Sequence, residues 1–277
     1  MVDWIRKSGG FVSSKLAVAQ VAPYTGTRGI IVKDSVREGE TLFAVPIEAC
    51  YMSSSQACDQ LGIAAARKLS PPMASTLPPQ LCLAMLLAHE RSKGKRSKWY
   101  AYIHSLPEDI PCAWAMSEAE AMHSVKKINH TEAKRLLELR SVVASCLEED
   151  LQRAKQLYGP PFGAAGVDND SILRWALGMV FSRSYAGESI MALGPLVDMC
   201  NHADQAHAPF PGDFNGVQVT AVSAAEALAV GDELCVSYST QMTEELTWLN
   251  YGFLGQASPS LPKHLGTSTA ELLLSQT

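Results

Sequence analysis

Nothing in the 277-residue sequence is long and apolar enough to cross a membrane. The longest apolar run, Leu81 to Ala88 with Cys82 inside it, falls far short of the roughly 20 residues a spanning helix needs. No signal peptide and no Arg- and Ser-rich transit segment precedes Trp4. An excess of positive charge is also missing. The formal net charge is −5 and the isoelectric point about 5.8, which argues against a nucleic-acid binder working through its overall field. The seven cysteines, at 50, 58, 82, 112, 146, 200 and 235, form no Cys-x-x-Cys pair. An odd, scattered set speaks against a disulfide framework or a zinc cluster and suits a reducing compartment, cytoplasm or nucleus. A plastid location would require a targeting segment ahead of Met1. Internal repeats and low-complexity tracts are absent.

What remains is an ordinary globular composition, 47% apolar and 18% charged. Residues 3–8 read as a short helix stopped by Gly9-Gly10. Strands follow at Leu16 to Val21, Ile30 to Val32, Thr41 to Val45 and Ala49 to Met52, separated by turns at 25–29 and 36–40. From Ser54 to Tyr185 the pattern turns helical. Pro78-Pro79 opens one helix, Ser117 and Glu120 form a capping box, and Thr131 caps the longest helix, to about Tyr158. That helix carries Leu136, Val143, Leu147, Leu151 and Ala154 on one stripe. Asp168 or Asp170 caps a further helix, Ile172 to Ser184. Strands return at Gly216 to Val222 and Leu234 to Ser237, and Thr243 caps a last helix with Gly252 beyond it. The chain therefore divides into residues 1–53 and 186–255, both rich in strands, a helical insertion at 54–185, and a tail at 256–277.

The most informative stretch runs from Ile190 to Asp204. An apolar run through Val197 ends abruptly in Asp198, Asn201 and His202. Polar groups at the edge of a core need partners, so these residues satisfy one another or bind something. A helix cap with a satisfied histidine would explain the segment if it stood alone. It is followed by Gly231-Asp232-Glu233, a strand leading to Tyr238, and a helix ending in Tyr251-Gly252-Phe253.

In order and spacing these pieces resemble the C-terminal half of a SET-domain methyltransferase. The likeness is greatest to the branch that includes the Rubisco large-subunit lysine methyltransferase and the actin-histidine methyltransferase. Trp4-Ile5 and Gly9-Gly10-Phe11-Val12 resemble the first helix and turn of that family, and Trp99 to Pro107 one of its packing elements. The resemblance implies an α+β fold, a SET-domain β-fold with a large helical insertion. It implies S-adenosyl-L-methionine as cofactor and a lysine-bearing protein as substrate, with a monomer as the expected state and no nucleic-acid partner. By the same resemblance Thr27, Arg28 and Gly29 contact the methyl donor through the main chain. Asn201 and His202 hold its adenosine and methionine parts, Asp198 orients their loop, and Arg183 pairs with its carboxylate. Tyr238 is the catalytic residue lining the transfer channel, Tyr251 and Phe253 complete the donor pocket, and Tyr185 faces the substrate side chain. The Tyr238-Ser239-Thr240 sequence departs from the Tyr-Gly of many relatives.

Three other readings stay open. Histidine could be the acceptor, although an aromatic at Tyr185 suits the aliphatic stem and amine of lysine better. The chain could be a non-catalytic SET-like binding module. Asp198 and His202, four apart on a helix face, could belong to a metal site with Asp204 and His207. Relatives also continue past Tyr-Gly-Phe into a helical substrate-holding domain. The residues after Leu254 offer too little for such a core, so full donor binding with weak substrate docking is expected.

Overall fold

The computed structural model describes residues 1–21, 28–65, 76–158, 169–186, 191–238 and 243–254. Its contacts divide the chain into two units, Met1–Tyr51 with Leu193–Thr240, and Met52–Ala192 with Gln241–Thr277.

The first unit is built on two four-stranded sheets. In one, the order is Phe11–Val12, Thr41–Pro46, Val217–Ser223, Phe210–Phe214, all antiparallel. Leu42 to Val45 are fully or almost fully buried, so this central strand does not alternate. Gly10 is needed beside it, because a Cβ there would lie 2.6 Å from the Ala44 carbonyl oxygen. Phe214 pairs with Val217 across Asn215-Gly216, both at positive φ. That is the two-residue hairpin an Asn-Gly pair specifies. Sequence reading finds only its second strand and misses Phe210–Phe214.

The second sheet has the order Asn201–His207, Glu233–Val236, Arg28–Val32, Leu16–Gln20. Its one parallel pair is Asn201–His207 with Glu233–Val236. Sequence reading expects a strand over Ala49 to Met52. Instead Ile47–Cys50 forms one helical turn after Pro46, closed by the Tyr51 amide on the Ile47 carbonyl, and the strand is Met52–Ser53. Proline fixes φ at −58° here and suits the entry to a turn.

The second unit is mainly helical. Pro79–Ser92 is buried around nearly its whole circumference and packs against Asn169–Arg183. Such a helix shows no clean polar face, because other elements cover it on every side. Helix Ser54–Leu61 begins in a capping box of Ser53 and Gln56 and stops at Gly62, φ 65°. The long helix His130–Tyr158 buries the five stripe residues expected of it. Asn129, not Thr131, caps it, accepting the Glu132 amide at 2.9 Å. A cap two residues upstream is favoured because asparagine is the better N-cap. The Ser117–Glu120 capping box forms as the sequence specifies. For the Asn169–Arg183 helix, Asp168 lies outside the described residues, and Asp170 sits inside the first turn, paired with Lys155 at 2.7 Å. No helix among the described residues is long and apolar enough to cross a membrane.

The last helix, Glu244–Tyr251, is fixed at several points. Thr243 caps it, Trp248 Nε1 donates to Ser124 Oγ at 2.9 Å, and Arg135 pairs with Glu245. Gly252 ends it at φ 76°, where a Cβ would strike the Pro111 carbonyl oxygen. Burial pushes the Glu245 carboxyl upward, but Arg135 and the backbone and Thr243 hydrogen bonds bring it below the usual carboxylate value. A depressed folded-state pKa gives stability that is present above the unfolded value and lost as pH falls through the folded one. The thermal stability of the wild type should therefore fall as pH drops below about 4.5. Glu245→Gln should flatten part of that slope while leaving the rest of the profile in place. An unchanged slope in the variant would show that this ion pair does not anchor the helix.

Candidate active site

In the first unit the strand order brings residues 28–29, 198–202 and 233–238 together. Gly29 is the point of closest approach. A Cβ there would collide with Glu233 Oε1 and lie 2.9 Å from Asn201 Nδ2 and 3.0 Å from Val21 Cγ1. In the space left by the missing side chain, Asn201 Nδ2 donates to Glu233 Oε1 at 2.6 Å and to the Arg28 carbonyl at 3.3 Å. One amide thus ties the first strand segment to the last. Thr27 lies outside the described residues, Arg28 is exposed, and Gly29 is buried.

His202 and Tyr238 form the second contact. The Tyr238 amide donates to His202 Nδ1 at 3.3 Å, and the two rings lie 5.3 Å apart. An accepting Nδ1 assigns the proton of a neutral imidazole to Nε2. The Tyr238 hydroxyl donates to the Cys200 carbonyl at 3.0 Å. The segment Cys200 to His202 therefore holds Tyr238 at both its backbone and its phenol.

Asp198 is buried in the 3-10 turn Val197–Met199, its amide donating to the Gly194 carbonyl at 3.1 Å. The turn is entered through Leu196 at φ 72°, a costly conformation for leucine. Burial pushes the Cys200 thiol well above its ordinary value, and Cys235, Asp198 and Glu233 add to it. Asp198 also adds to the upward push that burial gives Tyr51. Two carboxylates thus make the field around Cys200 negative.

The remaining candidates belong to the second unit. Arg183 ends its helix, with its charge felt at Cys112. The Cys112 thiol lies within donating reach of the Asn250 carbonyl, at 3.1 Å, and of the Gly178 carbonyl, at 3.4 Å, and so bridges two helices with its single hydrogen. Burial pushes the Tyr251 hydroxyl upward. Phe253 is 42% exposed, 6.1 Å from the Tyr251 ring. Tyr185 is half-buried in the strand Ser184–Ala186.

Asp198 and His202 do not share a helix face, because a 3-10 turn ends at Met199 and a strand begins at Asn201. No group of three or more His, Cys, Asp or Glu able to hold a metal occurs among the described residues. Sequence reading treats Glu233 as part of a turn and counts Cys200 only among the scattered cysteines. Neither is assigned a role there, and both fix site residues here.

No family model matches the chain. The ribosomal lysine N-methyltransferase set10 of Schizosaccharomyces pombe is 24% identical over 256 residues, covering 90% of this chain and 43% of that protein. Among solved structures, the SET domain of LSMT bound to lysine and AdoHcy superposes with a TM-score of 0.70. It is 17% identical, with 91% of this chain and 56% of that one covered. Rubisco LSMT bound to AdoMet gives a TM-score of 0.69 at 17% identity, covering 92% and 55%. The chain thus has the α+β SET-domain fold that its sequence motifs resemble, and spans about half the length of these relatives.

Gly29→Ala tests the closure of the site. The new methyl displaces the Glu233 carboxylate or the Asn201 amide, and the variant should lose about 1–3 kcal/mol in urea unfolding, as for a broken buried hydrogen bond with overpacking. In a Glu233→Ala background the same change should cost much less, because the colliding atom is gone. Additive losses would mean that Glu233 does not set the requirement for glycine.

Proposed function

With a SET-domain fold and a lysine-methyltransferase relative in hand, we propose that this chain transfers a methyl group from S-adenosyl-L-methionine to a lysine side-chain amine of a protein substrate. The observation that carries the reading is the double hold on Tyr238 by Cys200 and His202, beside the Asn201–Glu233 bridge. The residues present suit the donor. A sulfonium is a cation, and Asp198 and Glu233 already make the surroundings of Cys200 negative. The donor would supply an electrophilic methyl group.

Within this proposal, Arg28 and Gly29 offer main-chain groups, His202 offers its Nε2–H, and Asn201 acts mostly through its position. The Asn201 amide hydrogens are directed at Glu233 and Arg28, so its contribution is to fix the strand ends. Arg183 would pair with a carboxylate through its guanidinium fork. Tyr251 and Phe253 would supply aromatic wall, and Tyr185 would lie along the aliphatic stem of the lysine. Thr27 keeps its proposed main-chain role.

The work of Tyr238 follows from its hydrogen bond. Its phenolic proton points at the Cys200 carbonyl, so its oxygen presents lone pairs. These can accept an amine N–H or a polarised methyl C–H and align the two reacting atoms. A lysine ammonium, with a reference pKa of about 10.4, must lose its proton before it attacks; desolvation favours that loss.

Calorimetry should show binding of S-adenosylmethionine and of its demethylated product without added metal. Tyr238→Phe should keep donor affinity and thermal shift nearly unchanged while lowering single-turnover methyl transfer about tenfold or more. Absence of heat and of thermal shift with both ligands in the wild type would remove the donor assignment. An undiminished rate in the variant would remove Tyr238 from the mechanism. Tandem mass spectrometry should place the methyl on lysine; a methylated histidine would reassign the acceptor.

A further inference from the structure

Positive charge is gathered in one place. Arg91, Lys93, Lys95, Arg96 and Lys98 fall within eight residues that hold no Asp or Glu. The other 18 of the 23 Lys and Arg face 28 Asp and Glu. The five cations sit at the end of helix Pro79–Ser92 and on the 3-10 turn Gly94–Arg96 that follows it. The turn is tied to Glu90, a buried carboxylate. Glu90 pairs with Lys93, and Ser97 Oγ donates to Glu90 Oε2 at 2.6 Å. The same Ser97 oxygen accepts the Trp99 amide at 3.1 Å. Arg91 pairs with Glu108 at 2.6 Å and lies over the Trp175 ring. Lys95, Arg96 and Lys98 are exposed, and the ion pairs of this stretch belong to Arg91 and Lys93. Lys98 Nζ rests 4.0 Å from the centre of the Trp99 ring.

Just beyond the turn, Tyr100 and His104 stack, with ring centroids 5.5 Å apart and planes 9° from parallel. His104 is exposed and Tyr100 half-buried. No large apolar side chain is exposed between residues 91 and 106; Trp99, Tyr102, Ile103 and Leu106 are buried. This combination selects the partner. A protein partner is held chiefly by apolar and aromatic anchors that fill pockets. A membrane surface is held by apolar groups that enter the lipid. The loop offers neither. A phosphate backbone needs only cations, and unpaired bases need flat faces to stack on. We propose that residues 91–104 form a binding surface for single-stranded nucleic acid. Lys95, Arg96 and Lys98 take its phosphates, and His104, backed by Tyr100, takes a base.

The acidic net charge does not prevent this. Ionic interactions fade over about 8 Å at physiological salt, so a local cluster outweighs distant carboxylates. The Glu90 contacts fix the turn before a ligand arrives, which spares binding the cost of ordering it. The surface departs from what the family resemblance implies, namely no nucleic-acid partner. It lies wholly in the second unit and uses none of the residues assigned to methyl transfer.

The test is fluorescence anisotropy of the full chain with labelled adenosine strands about 12 nucleotides long, RNA and DNA, and with a duplex of the same length. No methyl donor is present, so the outcome is separate from that of the methyl-transfer reading. The two strands share phosphate and base chemistry, so both should bind, and both more tightly than the duplex. With about three phosphate contacts, affinity should fall roughly twentyfold between 50 and 200 mM salt. Lys95→Ala and Arg96→Ala should each make the slope of log affinity against log salt shallower by about 0.7. His104→Ala should weaken binding about fivefold or more and leave that slope unchanged. Lys126→Ala removes an exposed cation elsewhere in the same unit and should change nothing. If it weakens binding as much as Lys95→Ala does, the overall field is responsible and the proposal fails. It also fails if Lys95→Glu with Arg96→Glu binds like the wild type, or if the duplex binds as tightly as the single strands. Displacement of the strand by polyglutamate of equal charge, as effective as by unlabelled strand, would equally overturn it.

Discussion

Three segments far apart in sequence meet over Gly29, and they can meet only because that residue carries no side chain. The Asn201 amide occupies the freed space and reaches a carbonyl 173 residues away on one side and Glu233 on the other. The other arrangements in the first unit follow from this closure. It sets the Arg28–Val32 strand against Glu233–Val236, and Glu233–Val236 in turn takes Asn201–His207 as its parallel neighbour. A parallel pair cannot be made by a tight hairpin; it needs a connection that crosses over. Here the connection includes the Phe210–Phe214 and Val217–Ser223 hairpin of the other sheet, so the two sheets are laced by one chain.

Features that depend on near neighbours were readable from the sequence. The capping box at Ser117, proline at the start of Pro79–Ser92, and glycine after Tyr251 all act within a few residues. Each has a mechanism that owes nothing to the rest of the fold. The apolar stripe of His130–Tyr158 was equally readable, since its period is set by the helix itself. What could not be read was pairing. The Asn201–His207 strand carries polar residues and pairs irregularly, with both His202 and His207 opposite Val236. Neither alternation nor β-branched residues mark it, so sequence reading leaves it as a polar cluster. Phe210–Phe214 is a different case. The Asn215-Gly216 signal was present, and it was passed over because proline and glycine inside the strand hide its alternation.

The site divides in the same way. Tyr238 and Asn201 stand out as side chains at fixed intervals, and the structure gives both definite partners. The Cys200 contribution is a backbone carbonyl, which every residue has, so no residue type could announce it. Glu233 looked like a turn carboxylate because turns are rich in such groups. Only the close approach at Gly29 shows that its carboxylate faces inward. Leu196 at positive φ is a further case. Sequence argues against that conformation for leucine. It is over-determined here by a fully buried side chain on either side of the turn, Leu193 and Cys200, and by the Asp198 amide on the Gly194 carbonyl.

The partners of His202 and Tyr238 also restrict what chemistry the first unit can perform. A histidine beside a tyrosine would ordinarily suggest a general base. Its Nδ1 is already an acceptor for the Tyr238 amide, and its other nitrogen then carries the hydrogen in the neutral ring. An imidazole used in that way positions its neighbour. The phenol is likewise set as an acceptor, its own hydrogen directed at Cys200. One acceptor oxygen beside a positioning histidine suits a nucleophile that arrives neutral and needs alignment more than activation. An amine shed of its proton on leaving water meets that description, and an alcohol or amide does not, since each would need a base to attack. The hydrogen-bond pattern and the proposed amine acceptor are therefore consistent at the level of proton accounting, which is independent of the fold resemblance.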